Sequence, residues 1–192
     1  TIAANEDYWG GAPAVKEVTF RFISEFGTRL SSLLSGEIDL MTNLLPEFDN
    51  RVPKSATVSG LELPIIILSA MPGSATEDAR VRQALNMAVD KEALAEALYG
   101  GYAAVAQGQL LAPSFFGFNA DIPGYSYDPD GAKALLAEAG AEGVEVELVG
   151  TAGRWLKDRE VVEAVASYWE AVGVKPNVRI FEFGEYLNRL FD

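Results

Sequence analysis

"VEVELVGTAGRWLKDREVVEAVASYWEAVGVKPNVRIFEF", residues 144–183, decides the fold class. Val144, Val146 and Leu148 alternate with Glu145 and Glu147, the two-residue period of a strand with one buried face. Over 158–173 the apolar spacing lengthens, and Val161, Val165, Tyr168 and Val172 fall on one helical stripe. "VKPNVRIFEF" then alternates again. A strand, helix, strand unit of this kind pairs its strands in parallel through a right-handed crossover, so this half of the chain is α/β rather than all-helical. The turn inside it, "VGTAGR" at 149–154, follows a strand and precedes a helix, the setting of an anion-binding loop. It lacks the ending of a phosphate loop and the full dinucleotide fingerprint, so it reads first as a turn and only second as a ligand loop.

Upstream, "YDPDGAKALLAEAG" is a punctuated helix, with Asp128 as N-cap, Pro129 at the first helical position and Gly140 at the exit. Before it runs a long loop, 107–131, crowded by Phe115, Phe116, Phe118, Tyr125 and Tyr127. Packing against neighbouring helices is the first reading of these rings, and lining an apolar pocket the second. "DARVRQALNMAVDKEALAEALYGGY", residues 78–102, predicts two helices. Val81, Ala84, Leu85 and Ala88 mark the first; Asp90 caps the second, which carries Leu94, Ala97 and Leu98 and ends at Gly100 and Gly101. Arg80 and Arg82 read as a solvated or salt-bridged helix start.

The first third of the chain predicts a strand over 15–23 with Val18, Phe20 and Phe22 inward, its approach anchored by Tyr8 and Trp9. A helix follows, capped by Ser24, with Leu30, Leu33 and Leu34 on one face and Gly36 at its end. Then come a short strand at 38–41, a short helix at 46–51, and a strand buried on both faces in "LELPIIIL", 61–68. The loop "AMPGSATED" after Ser69 marks a boundary.

Composition limits the partners. The 192 residues, 49% hydrophobic and 22% charged, suffice for a substantial core. Lys and Arg number 15 against 28 Asp and Glu, and the formal charge of -13 repels nucleic acid and anionic membrane surfaces. The longest apolar run, 63–71, is far short of the ~20 residues of a membrane-spanning helix. The absence of Cys leaves the redox compartment open. "TIAANEDYWGG" begins without Met or a signal-peptide pattern, and "GEYLNRLFD" opens an amphipathic helix and stops, so both ends read as cuts in a longer protein.

Catalytic candidates are few. With neither His nor Cys, the chain has no Ser-His-Asp or Cys-His arrangement and no usual zinc ligand set, and it calls for no metal or cofactor. The carboxylate pairs Glu37/Asp39 and Asp128/Asp130 read as a polar strand face and a helix N-terminus rather than as acid and base.

"NEDYWGG", "TRLSSLLSGEIDL", "ARVRQALNMAVDKEALAEALYGGYA", "PSFFGFN" and "YDPDGAKALLAEAG" stand in the order and with the spacing found in the family 5 extracellular solute-binding proteins. That family comprises the oligopeptide, dipeptide and nickel type receptors of ABC importers, and the resemblance covers essentially the whole chain. It implies a type II periplasmic-binding-protein fold, with residues 1–67 the later part of one lobe and 68–192 the first part of a second. It implies that a small solute, a peptide foremost, is held between lobes by hinge closure and delivered to a permease, in a periplasmic or extracellular, membrane-associated protein that is not an enzyme. By the same resemblance Thr42 and Asn43, after the "GEID" motif, and Ser69, on the segment crossing between lobes, are the candidate ligand-binding residues. A ligand-sensing domain of the same fold in a transcriptional regulator is the alternative, and a hydrolase comes third.

Overall fold

The computed structural model describes residues 1–58, 60, 62–106, 108–113 and 115–191. They form two compact units, Thr1–Leu44 and Leu45–Asp192.

In the first unit a short antiparallel pair joins β1 (Ile2–Ala3) to β2 (Glu17–Val18). The strand expected over 15–23 is reduced to β2, and Phe20 and Phe22 are 63% and 99% exposed. Alternation marks the face that favours burial but supplies nothing to bury it, and so short a ladder has little strength of its own. Tyr8 and Trp9 pack on each other at 5.2 Å, with Trp9 turned out to solvent, rather than anchoring the strand. In α1 (Phe26–Leu34) the cap is Glu25, one residue later than expected. Its longer carboxylate takes the N–H groups of both Gly27 and Thr28. No strand forms at 38–41, because the Ile38 N–H is already given to the Ser32 carbonyl at the helix exit.

The second unit opens with a 3-10 turn, Pro46–Arg51, where a short helix was expected. Of the strand expected at 61–68, residue 61 lies outside the described residues, and 62–68 enter no ladder. Pro64 removes one donor from the stretch, and Ile65, Ile66 and Ile67 stay exposed rather than buried.

The helical forecasts hold. In α2 (Ala79–Met87), Val81, Ala84 and Leu85 are buried, as is Ala88 just beyond it. Asp90 caps α3 (Lys91–Tyr99) through the Ala93 N–H, and Gly100 ends it at φ +57, the left-handed region that L side chains avoid. Asp128 caps α4 (Pro129–Glu138) through the Gly131 N–H, with Pro129 at its first position. Arg80 pairs with Asp78, and Arg82 donates to the carbonyls of Thr76 and Glu77, as a braced helix start should. No described helix is long and apolar enough to cross a membrane.

β3 (Glu145–Thr151) and β4 (Lys175–Phe181) are parallel, in register from Glu145 opposite Lys175 to Thr151 opposite Phe181, with α5 (Asp158–Ala171) between them in sequence. α6 (Phe183–Phe191) follows. Val146 and Leu148 point into the core and Glu145 and Glu147 out, as the alternation required. At Gly150 a Cβ would lie 2.5 Å from Val162 Cγ2, so the strand approaches α5 as closely as it does only because this residue is glycine. The buried stripe of α5 is Val162, Val165, Ala166 and Trp169, which corrects the expected Val161 and Tyr168 by one position. Trp169 decides the rotation: it is 2% exposed and its Nε1 donates to the Leu85 carbonyl at 3.0 Å, while Tyr168 sits at the edge against Tyr127. One cluster, from Val81 through Leu136 to Val174, joins the two strands to α2, α4 and α5.

Candidate functional site

The carboxyl ends of β3 and β4 lie side by side, Thr151 opposite Phe181. In open α/β sheets the crevice outside the carboxyl ends of parallel strands is where ligands bind. The loop leaving β3 there is Ala152 to Lys157, the second half of the "VGTAGR" turn and its continuation.

That loop folds around a single carboxylate from its own helix. Asp158 accepts from the N–H groups of Gly153 at 3.1 Å, Arg154 at 3.0 Å and Trp155 at 3.1 Å, and from Thr151 Oγ1 at 3.0 Å. Burial raises the Asp158 carboxyl, but the Trp155, Arg154 and Gly153 N–H groups and the Thr151 hydroxyl together outweigh it and hold the group below its ordinary value. The backbone nest that the sequence suggested as a ligand loop is therefore filled from within the chain.

What the loop presents outward is Arg154. Its guanidinium lies 5.1 Å from the centre of the Trp155 ring and 5.3 Å from that of Phe183, and the two rings meet edge to face at 5.3 Å. Arg21, Arg80, Arg159, Arg179 and Arg189 each meet a carboxylate within 4 Å; among the described residues Arg154 meets none, and neither do Arg29 and Arg82, whose donors go to backbone carbonyls, nor Arg51, which lies over Phe48. Beside it Phe181 lies under Arg189 at 4.3 Å and Arg179 at 5.2 Å, so aromatic and cationic groups alternate across the strand ends. An exposed, stacked guanidinium with its donors free is fitted to take a carboxylate.

Two side chains from elsewhere in the unit brace the loop. Tyr99 of α3 donates to the Leu156 carbonyl at 3.1 Å. Lys157, in a left-handed conformation at φ +59, places its ammonium 2.7 Å from Glu47 on the 3-10 turn, and that hydrogen bond pulls the Glu47 carboxyl down. On the same turn Asp49 accepts from Tyr102 Oη at 2.9 Å.

Of the residues nominated from sequence, Thr42 and Asn43 are exposed near the end of the first unit, Asn43 at φ +56. Ser69 lies in the second unit and is spent locally. Its carbonyl accepts from Ser74 and Thr76, and its Oγ accepts from the Met71 N–H. The long aromatic loop divides between its two readings. Tyr127 packs on Tyr168, Phe116 faces solvent, and Tyr125 lines a shallow hollow of about 320 Å³ with Leu68, Arg82 and Asn86. The sequence reading passed over Arg154, Trp155 and Phe183. Its signal was present in "GRW", an arginine followed by an aromatic at the end of a post-strand turn, but the turn was weighed for its glycines.

A family model described as "Bacterial extracellular solute-binding proteins, family 5 Middle" matches residues 1–192. The dipeptide-binding protein of Escherichia coli (strain K12) is 32% identical over 197 residues, 98% of this chain and 37% of that protein. Heme-binding protein A of Haemophilus influenzae is 31% identical over 202 residues, 97% of this chain and 35% of that protein. Among solved structures, NikA from Brucella suis in complex with Fe(III)-EDTA superposes with a TM-score of 0.81 at 27% identity, over 97% of this chain and 41% of that one. The chain spans a little over a third of the length of the curated relatives it matches.

Proposed function

The chain belongs to the bacterial extracellular solute-binding proteins of family 5 and has their type II periplasmic-binding-protein fold, and from that premise we propose that the whole protein captures a small carboxylate-bearing solute, a short peptide foremost. The observation that carries this reading is Arg154, a guanidinium without a carboxylate partner among the described residues, set against two touching rings at the carboxyl ends of parallel strands. The ligands named for three relatives are unlike in shape, a dipeptide, a heme and an iron chelate, yet each carries carboxylates. Thr42 and Asn43, both exposed, add neutral donors and acceptors suited to a peptide backbone, and Ser69, whose oxygens already accept local hydrogen bonds, adds a hydroxyl donor. The protein binds rather than transforms its solute, acts outside the cytoplasmic membrane while held at its surface, and passes its cargo to an ABC permease.

Residues 1–67 belong to one lobe in this reading and 68–192 to the next, and solute draws them together because contacts made only in the closed form shift the population toward it. Glu47 with Lys157 and Asp49 with Tyr102 are then closing contacts. A zero-length carbodiimide couples an amine directly to a carboxylate, and the Glu47–Lys157 crosslink, read by mass spectrometry, rises with solute. A yield indifferent to solute makes the pair a permanent contact and moves the boundary to residue 44.

The direct test is a thermal-shift screen of the full-length protein against di- to octapeptides, their C-terminal amides, oligosaccharides and nickel chelates. A ligand at about 100 times its dissociation constant stabilises the native state by about 2.7 kcal/mol. A shift with the free acids sustains the proposal, whereas shifts confined to uncharged sugars overturn it.

A further inference from the structure

We infer that Asp158 is the positioning residue of the Arg154 site: its carboxylate fills the nest of the β3–α5 loop, fixing where the guanidinium points and leaving the solute's anion to the side chain alone. The inference rests on the reading of Arg154 as the solute's anion partner.

Three consecutive N–H groups converging on one point, with a hydroxyl beside them, make an anion site by themselves. Here that point is held by Asp158 Oδ1 and Oδ2, which together accept from Gly153, Arg154, Trp155 and Thr151, and Oδ1 accepts from the Arg159 N–H as well. Two consequences follow. The backbone of the loop has no donor left at this point for a solute carboxylate, which must go to the side chain of Arg154. The N–H groups of Arg154 and Trp155 are also fixed by the same oxygen, Oδ2, so the base of the guanidinium and the base of the ring it stacks on share one anchor.

A helix cap has a different signature from a positioning group. At the N-cap of α5 stands Lys157, which makes no capping bond through its side chain, and Asp158 takes one helix N–H, that of Arg159, while its other four bonds come from the loop and from Thr151. A residue that only stabilised the helix start would, when removed, lower the melting temperature and weaken all ligands alike. A residue that aims Arg154 changes the preference between ligands that differ only at the anion.

The experiment uses the full-length protein, with alanyl-phenylalanine and its C-terminal amide as probes, titrated calorimetrically against wild type, Asp158→Ala, Asp158→Asn and Arg154→Ala. Wild type prefers the free acid. Asp158→Ala loses about tenfold of that preference, the scale of a hydrogen bond to a charged group, while the amide binds nearly as before. Acetate, small enough to enter the emptied nest, restores part of it, and Asp158→Asn, which keeps one acceptor oxygen, lies between. If Asp158→Ala does not fold, Asp158→Asn with the same two probes decides. A wild-type preference that the Asp158 variants retain in full, or a loss shared equally by acid and amide, overturns this inference alone. A wild type indifferent to the carboxylate overturns the reading of Arg154 and this inference with it.

Discussion

Arg154→Ala weakens the binding of a carboxylate-bearing solute by about thirtyfold or more, in line with the 2 to 5 kcal/mol that removal of one partner of a desolvated charge pair costs. Without a solute the guanidinium is exposed, and water competes for its donors. When a bound solute covers it, that competition ends and the pair interacts across a medium of lower effective dielectric. Trp155 and Phe183 matter at this point, because they hold the guanidinium against two faces before the solute arrives and reduce the side-chain entropy lost on binding. Arg154→Lys keeps the charge but loses the planar fork and most of the stacking, so it recovers only a fraction of the affinity. Calorimetric titration of the three proteins with one free-acid peptide is the check. Arg154→Lys binding as tightly as wild type would reduce the site to a point charge and remove the role assigned to the rings.

This site was half legible. The sequence located the loop, since a glycine-containing turn between a strand and a helix is a local pattern, and it read that loop as a turn first and an anion-binding loop only second. It did not show that Asp158, several residues on, occupies those donors, because that requires the loop to close on the first turn of α5. Nor did it bring Phe183 to Arg154, since that meeting depends on β3 and β4 ending side by side, a fact of pairing register. Local grammar was read more surely: Asp90, Asp128 and Gly100 do at the helix ends what their chemistry and spacing required. The failed strand expectations, in both units, have one physical source. Phe20, Phe22 and Ile65 to Ile67 carry strand patterns, but a strand is completed by neighbours, and among the described residues none pairs with them.

The same division between local pattern and tertiary context fixes the last expected result. Trp169→Ala destabilises the second unit by about 3 to 5 kcal/mol, the cost of emptying a large buried aromatic site, because the cavity it leaves cannot collapse around strands and helices packed on every side. The loss also orphans the Leu85 carbonyl, whose bond from Nε1 is buried. Against a typical total stability of about 5 to 15 kcal/mol, a change of this size approaches loss of the folded unit. Trp169→Phe separates the two parts: most of the volume is kept, the donor is lost, and the cost falls to about 1 to 3 kcal/mol. Tyr168→Ala, one residue away on the stripe that sequence periodicity favoured, costs far less, since its ring lies at the edge against Tyr127 and not in the core. Urea unfolding of the chain, followed by far-ultraviolet circular dichroism, ranks the three. A Tyr168→Ala loss equal to that of Trp169→Ala would return the buried face of α5 to the one the sequence suggested and overturn the packing described for it.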